Sequence, residues 1–286
     1  MNALHNKVAI ITGASRGIGA AIAERFAAEG AYVVITARTA IPGARLPGSL
    51  QETEARITAR GGQCLSIVGD LNKETDRQAI VTQAIAHFGG IDILVNNAAF
   101  ARFGLSLMQQ PKHIQLSLGI NFVAPIHLSQ LVIPSMIERG AGWILNLSSD
   151  TSNKPEPGPY AEDSRAFQFH NTASPSLYGA TKAALERLTT GWAMEIADSN
   201  IAMNTLAPVE AVASEGALDS GSIDAVAFFE PIEAMAEAAL ALCTQPPELI
   251  SGRTAISLHL LEELGIDVRT INGEQLVDNV PKAMLK

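Results

Sequence analysis

Two cysteines in 286 residues, Cys64 and Cys243, are too few for a disulfide framework, and no Cys/His cluster has the spacing of a metal site. The histidines (His5, His87, His113, His127, His170 and His259) are scattered and read as surface or packing residues. Positive charge is in deficit: 20 Lys and Arg stand against 29 Asp and Glu, a net charge of −9. No run of Lys or Arg stands out, so nucleic acid and anionic membranes are not expected as partners. For want of an 18-residue apolar run free of charge, no transmembrane helix is expected. The opening "MNALHNKVAIITG" has no signal-peptide h-region and enters a strand within a few residues. A reducing, cytoplasmic setting fits these absences. There is no internal repeat and no linker that would set off a second domain.

What is present is a hydrophobic fraction of 47%, enough for a large core. Short apolar runs alternate with longer amphipathic ones. "KVAIITGA", "AYVVITAR", "CLSIVGD", "DILVNNAA", "GWILNLSS", "IAMNTLAP" and "TAISLHL" read as strands. Between them, "IGAAIAERFAAEG", "LQETEARITARGG", "RQAIVTQAIAHFGG", a stretch near Asn121 to Glu138, another from about Ser176 to Ser199, and "EPIEAMAEAALALCT" read as helices. This alternation predicts an α/β fold, a Rossmann-type doubly wound parallel sheet in three layers, as a single domain over residues 1–286. Residues 266–286 read as a loosely attached tail.

"TGASRGIG", Thr12 to Gly19, follows a strand and opens a helix. Glycines there permit a tight turn and close backbone approach, and the helix N-terminus offers unpaired N–H groups to a pyrophosphate. The spacing is T-G-x-x-x-G-x-G, with Gly13, Gly17 and Gly19. Where an NAD enzyme would place an acid for the ribose 2′-hydroxyl, the second strand ends in Ala37-Arg38. Arg38 and Arg16 could instead bracket a 2′-phosphate, which suits the guanidinium fork. Both could also be ordinary surface arginines. Asp70, ending the third strand, could accept the adenine amino group or cap the following helix.

Together with "NNAA" at Asn96 to Ala99, Asn121, "NLSS" and "YGATK", the glycine turn makes the chain from Lys7 to about Leu260 resemble the short-chain dehydrogenase/reductase family. More loosely, "ARTAIPGARLPGSL" and "SGRTAISLHLLEELGID" resemble its hydroxysteroid dehydrogenase-like branch. The resemblance implies NADP(H), with NAD(H) as the alternative, lying across the C-terminal strand edge. It maps Asn121, Ser149, Tyr178 and Lys182 as catalytic. Cofactor contacts fall to Gly13, Ser15, Arg16, Gly17, Ile18, Gly19, Arg38, Asp70, Leu71, Asn97, Ala98, Tyr178, Lys182, Pro208 and Ala211. A small-molecule substrate and a homo-oligomer, dimer or tetramer, are also implied.

Of the two tyrosines near the serines, Tyr160 has Ser164 four residues on, whereas Tyr178 has Lys182 one helical turn away on the same face. A free tyrosine has a pKa of about 10. One cation at ~4 Å and an effective dielectric of ~20 supplies about 4 kcal/mol before its own desolvation, enough to lower that value by 2 to 3 units. The expected reaction interconverts a carbonyl and an alcohol on a small molecule, expected to be apolar. Tyr178 gives the proton, Ser149 holds the oxygen, Lys182 also binds the nicotinamide ribose, and Asn121 anchors a water leading protons to Lys182. The alternatives are a non-catalytic NADP(H)-binding sensor or scaffold, and an enoyl reductase, against which the short Tyr–Lys spacing speaks.

The chain departs from that family at two places. Ser149 and Tyr178 are 29 positions apart, with Pro155, Pro157, Pro159 and Pro175 between them, so about residues 150–173 form an insertion at the ligand edge. Phe167 and Phe169 suggest a wall or lid over the substrate cleft; the charges of Glu156, Glu162, Asp163 and Arg165 suit a solvated excursion instead. In "NTLAPVEAVAS", Val209 and Ala213 stand where the family has Gly and Thr, with Ser214 a possible substitute for the threonine. The stretch from Ser214 to Phe229, where the family forms its substrate lid, names no substrate.

Overall fold

A computed structural model describes residues 2–43, 47–215 and 229–281. Its strands are β1 (Val8–Thr12), β2 (Tyr32–Ala37), β3 (Gln63–Val68), β4 (Ile93–Asn96), β5 (Gly142–Leu147), β6 (Ile201–Ala207), β7 (Ala211–Val212), β8 (Phe229–Glu230) and β9 (Thr254–Ile256). Seven of them pair in parallel in the order β3-β2-β1-β4-β5-β6-β9, and β7 pairs with β8 separately. Every residue of β1, β4, β5 and β6 is buried, because a parallel strand covered on both faces needs a nearly unbroken apolar run. The order turns back between β1 and β4, which opens a crevice at the C-terminal strand ends.

The helices are α1 (Gly17–Ala28), α2 (Leu50–Ala59), α3 (Glu74–Phe88), α4 (Pro111–Leu118), α5 (Ala124–Glu138), α6 (Arg165–Thr172), α7 (Ser176–Glu195), α8 (Ile232–Thr244) and α9 (Ser257–Leu264). α1, α2, α8 and α9 bury Ile22, Phe26, Ile57, Leu242 and Leu258 on one face of the sheet. α3, α5 and α7 bury Ile80, Leu128, Val132 and Ala193 on the other. Fully burying one such Ile, Leu or Val contributes about 1.5–3 kcal/mol. A buried polar chain crosses the second layer: Asn96 Nδ2 donates to Asn146 Oδ1 at 2.8 Å and Asn146 Nδ2 to Thr189 Oγ1 at 2.9 Å, fixing α7 against β4 and β5.

The structure corrects the sequence expectations in five places. The helix expected near Asn121 begins at Pro111, whose ring suits a first helical position, and runs through a π-turn at Gly119–Val123. This continuous helix, Pro111–Glu138, is long and apolar enough to cross a membrane by length and composition, since no Asp, Glu, Lys or Arg lies between Lys112 and Glu138. Here Leu128, Val132 and Met136 are fully buried against the sheet. "TAISLHL" is a strand only to Ile256, after which α9 begins. The inserted segment contains α6, capped by Ser164 Oγ, which accepts from Phe167 N–H. The β7–β8 pair goes unforeseen because each strand has only two residues. The tail is anchored: Val268 is buried, and Ile266, Ile271, Val277 and Val280 pack on the core. Of the expected substrate lid, residues 216–228 lie outside the described residues, as do 44–46 and 282–286.

Candidate active site

The first half of the site is the turn between β1 and α1. Gly13 (φ +69°) lies so close to β4's end that a Cβ there would sit 2.8 Å from Ala98 Cα. A Cβ on Gly19 would fall 2.3 Å from Asn97 Nδ2 and 2.6 Å from the Gly13 carbonyl oxygen. Asn97 braces the turn, its Nδ2 donating to the Thr12 carbonyl at 2.8 Å, while Thr12 Oγ1 accepts from the N–H groups of Asn97 and Ala98 at 3.0 Å. α1 carries no side-chain cap, so the N–H groups of its first turn, at Gly17, Ile18 and Gly19, have no partner within the helix.

This turn opens on a groove of about 320 Å³ lined by Gly13, Ser15, Arg16, Arg38, Asp70, Leu71, Asn97 and Ala98 among others. Arg38 is exposed at its edge. Arg16 Nη2 donates to the Gly48 carbonyl at 2.7 Å, whereas Arg16 Nε and the groove-lining Thr36 Oγ1 are buried with no hydrogen-bond partner among the described residues. Two orphaned polar atoms, a cradle that a methyl group would fill and an uncapped helix N-terminus fit a phosphorylated nucleotide. Asp70 Oδ1 accepts from Asn72 N–H at 3.0 Å in a local turn, and the N-cap position of α3 falls on Lys73, which makes no side-chain cap bond, so Asp70 is not that helix's cap. The groove's lining does not include Pro208 or Ala211: Ala211 is in β7, and Pro208 precedes Val209, whose N–H donates to Glu230 at 3.1 Å.

The second half is built on β5 and α7. Ser148 is buried and Ser149, next along, is half-buried with its Oγ accepting from Thr151 Oγ1 at 2.9 Å. Tyr178 and Lys182 share a face of α7, with Lys182 Nζ 5.6 Å from the Tyr178 ring centre and donating to the Leu147 carbonyl at 2.6 Å. Asn121 stands in the π-turn, a feature often found at functional sites. Its side chain is committed: Oδ1 accepts from Phe100 N–H at 2.8 Å, and Nδ2 donates to the Phe100 carbonyl and to Thr181 Oγ1, both at 3.1 Å. One lone pair of Asn121 Oδ1 is left to accept from a water. Phe103 covers Tyr178 from the β4 side, with ring centres 5.6 Å apart.

Burial acts on both titrating groups. It pushes the Tyr178 phenol up to about 12, where Lys182 together with a bound nicotinamide cation is expected to lower it, and brings the Lys182 ammonium down to about 8, a fall that the charge of Glu186 opposes. Glu186 and Gly179 escaped the sequence reading. Glu186 lies four residues past Lys182, a spacing that was open to view. It accepts from Ser148 Oγ and, at 2.8 Å, from Ser152 Oγ. A Cβ on Gly179 would sit 2.2 Å from the Thr151 carbonyl oxygen, so glycine is what lets α7 touch the Ser149 segment.

Beyond Ser152 and its bond to Glu186, the insertion is also tied down further along. Arg165 forms a two-pronged ion pair with Glu210 at 2.7 and 2.6 Å, and Gly104 N–H donates to the Ser174 carbonyl at 3.2 Å. Its own residues, with Tyr160, Phe167 and His170 prominent, line a cavity of about 620 Å³. Tyr160 and Phe167 rings lie 5.8 Å apart. Phe169 and the catalytic candidates do not line this cavity, because α6 turns residues 167 and 169 to different sides.

Comparison with known proteins gives the same family from three directions. The short chain dehydrogenase family model matches residues 7–161. Hydroxysteroid dehydrogenase-like protein 2 of Danio rerio is 36% identical over 256 residues, 90% of this chain and 58% of that protein; the chain thus spans a little over half the length of this curated relative. A short chain dehydrogenase of Mycobacterium thermoresistibile superposes with a TM-score of 0.77 at 30% identity, covering 98% of this chain and 96% of that one. A metagenomic short-chain oxidoreductase solved in complex with NADP superposes with a TM-score of 0.70 at 29% identity, covering 89% and 97%.

Proposed function

Since the chain belongs to the short-chain dehydrogenase/reductase family and is similar to hydroxysteroid dehydrogenase-like protein 2, we propose that it is an NADP(H)-dependent oxidoreductase interconverting a carbonyl and an alcohol on a small, apolar molecule. The observation that carries this reading is Lys182 against the Tyr178 ring, on a helix packed onto the Ser149 segment. When bound, the nicotinamide supplies or accepts the hydride. Gly13, Gly17 and Gly19 seat the pyrophosphate at the α1 N-terminus, and Arg16 and Arg38 face the 2′-phosphate. Ser149 donates a hydrogen bond to the substrate oxygen, Tyr178 gives that oxygen its proton, Lys182 restores the Tyr178 proton, and a water anchored at Asn121 leads protons to Lys182. With its pKa near 12, Tyr178 stays protonated at neutral pH, the state a carbonyl reduction needs. Stripping that proton at pH 7 would cost about 7 kcal/mol, and one cation at ~5–6 Å and an effective dielectric of ~20 returns only ~3 kcal/mol.

The same reading places the insertion beside the substrate cleft; the aromatic at the reacting centre is Phe103, while Tyr160 and Phe167 line a cavity that takes in none of Ser149, Tyr178 or Lys182. The exposed Val123, Ile137 and Met194 on the π-turn, α5 and α7 support a homo-oligomer, which a monomer by light scattering would refute. Unpaired Cys64 and Cys243 suit a reducing cytoplasmic setting. A panel of carbonyls and alcohols, followed by NADPH absorbance with Tyr178→Phe as the blank, tests the activity. Tyr178→Phe is expected to lose about 10²–10⁴-fold in turnover while still binding NADPH; equal turnover in both proteins would end the proposal.

A further inference from the structure

Both flanks of Ser149 are fastened to one carboxylate. Ser148 Oγ, immediately before it, and Ser152 Oγ, three residues after it, donate to the same oxygen of Glu186. Glu186 lies one helical turn beyond Lys182 on α7, so Tyr178, Lys182 and Glu186 form a row at i, i+4 and i+8. At Gly179 the same helix touches the Thr151 carbonyl, which places the whole segment from Ser148 to Ser152 against it. Lys182 is buried; it donates to the Leu147 carbonyl, lies against the Tyr178 ring, and has Glu186 one helical turn further on. The Leu147 carbonyl is a dipole and the phenol is neutral at ordinary pH, which leaves Glu186, among the described residues, as the charged group acting on Lys182.

We propose that Glu186 is a positioning residue for this site: it clamps the Ser149 segment to the helix that carries Tyr178 and Lys182, and its negative charge holds Lys182 in the ammonium form. A carboxylate suits both tasks, since one oxygen accepts two hydroxyl donors while the charge offsets the desolvation of a buried cation. A residue that served packing alone would need neither the charge nor two serines on one acceptor. The role in turnover rests on the oxidoreductase reading; the clamp and the charge effect do not.

Two substitutions separate clamp from charge without any substrate. Glu186→Gln keeps an acceptor oxygen and removes the charge. Ser148→Ala with Ser152→Ala removes the clamp and keeps the charge. The cofactor-free protein, labelled with ¹³C at lysine, gives the Lys182 titration, its signal assigned by loss in Lys182→Met. Glu186→Gln should lower the Lys182 midpoint from about 8 by roughly one pH unit and leave amide exchange at residues 149–152 near wild type. The double serine variant should speed that exchange about tenfold and leave the Lys182 midpoint in place. An unchanged Lys182 midpoint in Glu186→Gln, or unchanged exchange in the serine variant, overturns the proposal. Should both read-outs move as stated while no carbonyl is turned over, the oxidoreductase reading fails and the clamp and charge assignment stands.

Discussion

Gly19 and Gly179 sit at the C-terminal edge of the same sheet, each where a single methyl group would collide with the protein. At Gly19 the obstacles are Asn97 Nδ2 and the Gly13 carbonyl, at 2.3 and 2.6 Å. These lie one residue past the ends of β1 and β4, at the centre of the sheet, where Thr12 holds Asn97. At Gly179 the obstacle is the Thr151 carbonyl at 2.2 Å, on a short turn at the foot of the insertion. Side chains hold that turn: Glu186 from α7, with Arg165 and Glu210 steadying the insertion beyond it. Damage at the first should spread into the core, whereas damage at the second should stay with the chemistry.

Alanine at the two positions gives the sharpest contrast. Gly179→Ala should displace the Ser149 segment and cost about a hundredfold in turnover, with NADPH affinity close to wild type. Gly19→Ala should lose NADPH affinity together with roughly 1–3 kcal/mol of stability in urea unfolding. Equal loss of cofactor affinity in both proteins would erase the distinction.

A third attachment lies beyond β6. Glu230 is 2% exposed, accepts from Ser257 Oγ at 2.7 and 2.8 Å and from Val209 N–H at 3.1 Å, and burial pushes its carboxyl from 4.5 up to about 7. Between those values the folded chain holds a proton that the unfolded chain has released. Stability should therefore fall as pH rises from about 4.5 to about 7, by roughly 3 kcal/mol, and level off above. Urea midpoints across that window measure it, and Glu230→Gln should flatten the slope. An equal slope in both proteins would place the titrating group elsewhere.

Arg38→Asp tests the nucleotide half alone. Replacing an attractive charge by a repulsive one should move the preference between NADPH and NADH toward NADH by about tenfold to a hundredfold. A wild-type preference for NADH would defeat the arginine argument. The smallest effect is expected at the insertion's anchor. The Arg165 side chain is 53% exposed, so its ion pair with Glu210 is worth ~0.2–1 kcal/mol at most. Arg165→Ala should change substrate KM by less than about fivefold; a large loss of turnover would mean that the insertion sets the catalytic geometry.

Legibility followed the same divide. The nucleotide half could be read because its parts are local: three glycines, a strand and a helix within Val8–Ala28 determine the turn. The parallel sheet could be read because buried strands are apolar without interruption. The serine side depends on residues distant in sequence, such as Ser148 with Glu186 and Arg165 with Glu210, which no period or propensity brings together. α6 was hidden by its prolines upstream and its polar composition, and Phe167 and Phe169 alternate as in a strand while lying on a helix. The fall of Lys182 and the rise of Tyr178 could not be foreseen, since burial is a property of the packed site.

The most direct test is the ionisation of Tyr178 itself. The chain has three tyrosines, so the Tyr178 phenolate is the ultraviolet difference between wild type and Tyr178→Phe. Without cofactor, burial should keep Tyr178 protonated to about pH 12. With saturating NADP⁺ the midpoint should fall by about 2 units, because the nicotinamide cation lies beside the ring, whereas Lys182, at about 8, is already neutral in this range. A midpoint near 12 in both conditions, with NADP⁺ bound, would contradict Tyr178 as the proton-transfer group of a nicotinamide site.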